Sequence, residues 1–139
     1  MAKRRRGSRN APRPRGRPIR PDRFEAIVQR AIDDIPQPFR VALDEVAIVI
    51  ADDPSPEQMG QNGLGPDDTL YGLYEGVPRT EWGADWAALP NKITIFRLPL
   101  EDDFADPAEL QDEIRLTVIH ELAHHLGIDD DRLEELGVD

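Results

Sequence analysis

The stretch from Asp106 to Gly127 constrains this chain more than any other. It opens on Asp106-Pro107, a capping residue followed by the residue best tolerated in a first helical turn. It closes on Gly127, which can leave a helix through a left-handed turn at little cost. Between them Ile114, Val118, Leu122 and Leu126 recur every fourth position. That spacing predicts one long helix over 107–126 with an apolar stripe turned to a core. In 139 residues there is room for one domain with one modest core around it.

The remaining elements are read from periodicity and punctuation. A helix is expected from Asp22 as cap, with Phe24, Ile27, Val28, Ala31 and Ile32 at helical spacing, ended by Pro36 and Pro38. Val41 to Ala51 reads as a strand whose apolar run, Val46 to Ala51, is buried. Residues 52–68 read as loop, because Pro54, Pro56, Gly60, Gly63, Gly65 and Pro66 oppose a long regular element. Residues 69–76 form a short strand or ribbon, and Trp82 and Trp86 anchor the loop after it. Residues 91–98 alternate as a strand, Ile93 and Ile95 on one face, Thr94 and Phe96 on the other. A last helical turn follows Asp129–Asp131. The fold class is α+β: a small mixed sheet of about three strands with two main helices.

Composition removes several kinds of chemistry. The chain has no cysteine, which excludes disulfides, thiolate metal sites and cysteine nucleophiles. Its longest apolar run has six residues, Val46 to Ala51, far below the roughly 18 that a membrane span needs. The basic start stays polar through Asn10-Ala11-Pro12-Arg13-Pro14, unlike a secretory leader, so a cytoplasmic protein without membrane contact is expected. The charge is divided along the chain. Residues 1–20 hold nine of the 17 basic residues and no acid; residues 21–139 hold eight basic and 28 acidic residues, a net −20. Residues 1–20 are expected to be a disordered Arg-rich tail on a domain over 21–139. Contact with nucleic acid or another polyanion through that tail competes with a solvated extension lying on its own acidic domain.

The chemistry lies in His120-Glu121-Leu122-Ala123-His124, an H-E-x-x-H pattern. On a helix the two histidines stand about 40° apart and one turn along, so both imidazoles can reach one ion. Glu121 lies about 100° round from His120, beside that ion, where its carboxylate can take a proton from water activated there. With only three histidines in the chain, chance seldom brackets a glutamate with two of them at this spacing. Gly127 turns the chain back past the site, and a third ligand is expected from Asp129–Asp131, with Asp130 favoured.

His120-Glu121-x-x-His124-x-x-Gly127-x-x-Asp130 resembles the extended signature of the minimal zincins, small bacterial metallopeptidase-like proteins. The resemblance covers most of residues 22–139 and includes Gly72-Leu73-Tyr74-Glu75-Gly76 and Leu89-Pro90-Asn91-Lys92-Ile93. It implies one Zn2+ per chain held by His120, His124 and Asp130, with Glu121 as general base. It also implies hydrolysis of an amide bond in an extended peptide or protein substrate. The basic tail is not part of it, and the chain has no Met-turn, since Met1 and Met59 both precede the motif. The strand 93–98 is expected to be the edge on which a peptide docks. A different class of function competes: a zinc-binding interaction module with little turnover, tethered by its tail to nucleic acid or a protein partner.

Several other residues carry a bland expectation. His125 is read as a partly exposed polar residue, against a role in tuning Glu121. Asp129 and Asp131 are read as helix cap and solvated charge, Glu134 and Glu135 as the exposed side of a helix. Tyr71 and Tyr74 are read as core packing, with oxyanion donation by one of them the rarer fate.

Overall fold

The computed structural model describes residues 20–76 and 91–137, and the segment holding Trp82 and Trp86 lies outside them. Helix α1 (Pro21–Asp33) takes Pro21 at its first position with Arg20 as N-cap. Asp22, expected as the cap, sits inside the first turn, where an acid suits the positive end of the helix. Phe24, Ile27, Val28 and Ala31 form its buried face.

The strand expected over 41–51 is divided. Phe39–Glu45 winds as a 3-10 helix that buries Phe39 and Ala42, three apart, and turns Val41 outward; three residues per turn set that spacing. Only Ala47–Ala51 is extended, as β1. Nor is the apolar run buried throughout. β1 lies at one edge of the sheet, and Val49 and Ile50 remain exposed. The expected loop over 52–68 contains a short helix, α2 (Pro56–Gln61). Ser55 and Gln58 form a reciprocal capping box at its start, which secures a short helix against the prolines and glycines around it.

The sheet has three strands: β1, β2 (Gly72–Glu75) and β3 (Lys92–Phe96), in the order β1-β3-β2. β3 runs parallel to β1, with Ile48 opposite Ile93 and Ile50 opposite Ile95. It runs antiparallel to β2, with Leu73 opposite Thr94 and Tyr74 opposite Ile93. β3 is therefore central and paired on both sides, which overturns its expected role as a free docking edge. It also stops at Phe96, where α3 (Arg97–Asp103) begins with Pro99 in its first turn.

Helix α4 (Pro107–Leu126) has the bounds its sequence implies. Asp106 caps it by accepting from the Glu109 N–H at 3.1 Å. Gly127 ends it at φ 74°, and the next N–H, of Ile128, bonds back to the Ala123 carbonyl. α1, the 3-10 helix, α3, β2, β3 and the final helix α5 (Asp130–Glu135) all pack against α4. So enclosed, it buries polar residues as well: Glu113, Thr117, His120, Glu121 and His125.

The main core fills the space between α1, α4 and the inner sheet face, where Ile93, Ile95 and Tyr74 point. A smaller cluster of Leu64, Leu70, Leu73 and Phe96, with Met59 against it, lies under α2. The strand faces divide as the alternation predicts. The architecture is mixed α and β with a small three-stranded sheet, and none of the described helices is long and apolar enough to cross a membrane.

Candidate metal centre

The last two turns of α4 carry all three histidines of the chain. His120 and His124 are one turn apart, His120 nearly buried and His124 half-buried. The turn at Gly127 then brings α5 back toward them. Asp129 is spent as the α5 cap, its Oδ1 accepting from the Arg132 N–H at 2.9 Å. Asp130 has its carboxylate in solvent and its Oδ1 4.0 Å from His120 Nδ1. Asp131 and Glu134 are exposed, and Glu135 pairs with Arg132 at 2.8 Å on the outer side of α5. Of Asp129, Asp130 and Asp131, Asp130 is the one that the structure sets beside a histidine.

Glu121 is in a different environment. It is 1 % exposed, and its Oε1 accepts the main-chain N–H of Tyr74 at 2.6 Å. Its Oε2 is buried with no hydrogen-bond partner among the described residues. Burial pushes this carboxyl well above the usual carboxylate range, and the Tyr74 N–H offsets only part of that. The bond to Tyr74 follows from sheet geometry. Phe96 N–H donates to the Tyr71 carbonyl, so in the antiparallel ladder residues 71, 73 and 75 face β3 while Gly72 and Tyr74 turn their main-chain groups outward. The outward Tyr74 N–H meets α4.

Gly72 makes that approach feasible: a Cβ there would stand 2.6 Å from Thr117 Cγ2, one helical turn before Glu121. The hydroxyls of Tyr71 and Tyr74 are engaged within the fold, the first donating to Asp103 Oδ2, the second to Asn91 Oδ1 at 3.2 Å. His125, expected at the surface, is fully buried, with Nδ1 2.8 Å from Tyr74 Oη. Its angular nearness to Glu121 on the helical wheel was the signal for that, but the wheel does not show that the partner is a strand residue.

Zinc takes imidazole nitrogen and carboxylate oxygen as donors, and His120, His124 and Asp130 supply that set at one end of α4. Among the described residues no three side chains of His, Asp or Glu lie close enough together to hold an ion; Asp130 Oδ1 stands 4.0 Å from His120 Nδ1. Glu121 Oε2, next in sequence to His120, is a buried acceptor without a hydrogen-bond partner among the described residues. Donor set and orphaned acceptor fit zinc.

The zincin-like metallopeptidase family matches residues 43–138, a span that holds every residue just described. No curated protein matches. A conserved hypothetical protein of known structure from Thermo thermophilus is similar in fold, with 23% identity and a TM-score of 0.50 over 85% of this chain and 98% of that one.

Proposed function

The chain belongs to the zincin-like metallopeptidase family, and from that premise we propose that it hydrolyses amide bonds with Glu121 as general base and one zinc held by His120, His124 and Asp130. One observation carries the reading. A buried carboxylate has one oxygen fixed by a main-chain N–H and the other unpartnered among the described residues, on the same helix end as the histidine pair. Zinc, when bound there, supplies Lewis acidity that polarises a carbonyl and eases the deprotonation of water. Glu121 accepts the proton as the water oxygen bonds to the carbonyl carbon. The same carboxyl then delivers that proton to the leaving nitrogen as the carbon–nitrogen bond breaks. Asp130 would add a negative charge to the ligand set.

The substrate is an extended peptide or protein segment. β3, paired on both sides, offers it no free main-chain edge, and the outward Tyr74 N–H of β2 is already held by Glu121. The central place of β3 also favours the second reading, a zinc-binding module with little turnover. Residues 1–20, at +9, would supply salt-dependent contact with nucleic acid under either reading.

Cleavage of a peptide library by wild type and by Glu121→Gln, with zinc content measured in both, separates them. The hydrolase reading expects cleavage by wild type alone at equal zinc. Equal cleavage by both proteins would sink the role of Glu121, and zinc without cleavage in either would establish the binding module.

A further inference from the structure

Resting on the hydrolytic reading above, we infer that Tyr74 and His125 are positioning residues, which together hold the Glu121 carboxylate through the main chain of β2. Tyr74 is pinned at two points. Its main-chain N–H donates to Glu121 Oε1 at 2.6 Å, and its hydroxyl lies 2.8 Å from His125 Nδ1. Glu121 and His125 are four residues apart on α4, on one face. The strand residue thus bridges two successive turns of the helix and closes a ring of contacts: Glu121, the Tyr74 main chain, the Tyr74 ring and His125.

His125 is itself held from behind. It is fully buried, and its Nε2 faces Glu45 Oε2 of the 3-10 helix at 3.6 Å, a separation longer than a hydrogen bond. On the strand side, Tyr74 Oη also donates to Asn91 Oδ1 at 3.2 Å. Gly72, which opens β2, and Gly76, which follows it, both permit close approaches around this seat. Gly72 admits Thr117 of α4 at a distance no Cβ would allow. Gly76, at φ 146°, lies where a Cβ would run into the Asn91 side chain.

The segment Gly72-Leu73-Tyr74-Glu75-Gly76 thereby acquires a role in the chemistry without touching the reacting atoms, because it presents one N–H to the base. A buried carboxylate deprived of that donor loses its anchor, since the Tyr74 N–H holds Oε1 and Oε2 has no hydrogen-bond partner among the described residues. Tyr71 is the internal control. It too is fully buried with its hydroxyl bonded, but to Asp103, away from Glu121. Packing alone would make the two tyrosines equivalent.

The test compares Tyr74→Phe, His125→Gln, His125→Asn and Tyr71→Phe in the full chain loaded with zinc. The residue-74 amide is followed by proton–nitrogen NMR, and kcat, KM and zinc content are measured beside it. In wild type that amide proton should resonate far downfield and exchange slowly, the mark of a short bond to a carboxylate. Tyr74→Phe and His125→Gln should move it upfield and hasten its exchange. They should also lower kcat by about tenfold or more, as loss of a supporting partner does, at unchanged KM and zinc. His125→Asn, whose amide stands near the place of Nδ1, should restore the resonance, and Tyr71→Phe should disturb neither quantity. A residue-74 amide that responds to Tyr74→Phe no more than to Tyr71→Phe would overturn the inference. Absence of cleavage in wild type would defeat the hydrolytic reading instead, while the amide resonance would still decide the positioning.

Discussion

The two sides of the α4 C-terminal end are built differently. On the inner side Glu121, His125 and Tyr74 are buried and bonded to one another across helix and strand. On the outer side His124 is half-buried and Asp130, with its side chain 85 % exposed, stands 4.0 Å from His120. The fold fixes the Glu121 carboxylate on the inner side and leaves Asp130 apart on the outer side. The contrast teaches which substitutions should act through structure and which through metal.

The largest expected effect breaks the inner side chemically. Glu121→Gln should lower hydrolysis by about 10²–10⁴-fold, the usual contribution of a general base, while zinc content stays at wild-type level. In the metal-free protein the same variant should be no less stable than wild type, because a neutral amide escapes the burial penalty and can still accept the Tyr74 N–H. The sign follows from the raised carboxyl: its contribution is fully present below the ordinary carboxylate range, about 4.3, and is lost as pH climbs through the folded value. Chemical denaturation across that range should show the loss in wild type and not in the variant.

On the outer side, His120→Ala or His124→Ala should each abolish stoichiometric zinc in metal analysis, with His120 the more costly to folding because it is the more buried. Asp130→Ala should weaken zinc affinity and leave the melting temperature of the metal-free protein nearly unchanged. Asp129→Ala should do the reverse, costing about 1 kcal/mol through the lost α5 cap with little effect on zinc. Were Asp129→Ala the variant that loses metal, the division between cap and ligand would be wrong. A smaller structural test lies at Gly72. Gly72→Ala should destabilise by about 1–3 kcal/mol by overpacking against Thr117, and Thr117→Ser, which removes the clashing methyl group, should recover part of it.

Much of this was legible in the sequence where local chemistry decides the outcome. The bounds of α4 follow from Asp106-Pro107 and Gly127, the motif from its spacing, and the faces of β3 from alternation. What was not legible is non-local. The place of β3 between its neighbours depends on pairings with strands distant in the chain, to which alternation is blind. The burial of His125 comes from α4 being enclosed on nearly all sides, so that its apolar stripe understates what it buries. The 3-10 helix at Phe39–Glu45 offers only two turns of a three-residue period, too short to stand out from β-branched neighbours. Ser55 and Gln58 did carry a capping signal, hidden among prolines and glycines.

The central claim is that the base is preset and the ligands close around the ion. Crystals of the zinc-loaded protein, with anomalous differences recorded at the zinc edge, test it most directly. The account predicts one peak per chain bonded to His120, His124 and Asp130, with Asp130 moved from its place in solvent and the Tyr74–Glu121 bond intact. A peak away from these residues, or zinc bonded directly to Glu121 with that bond broken, would contradict it.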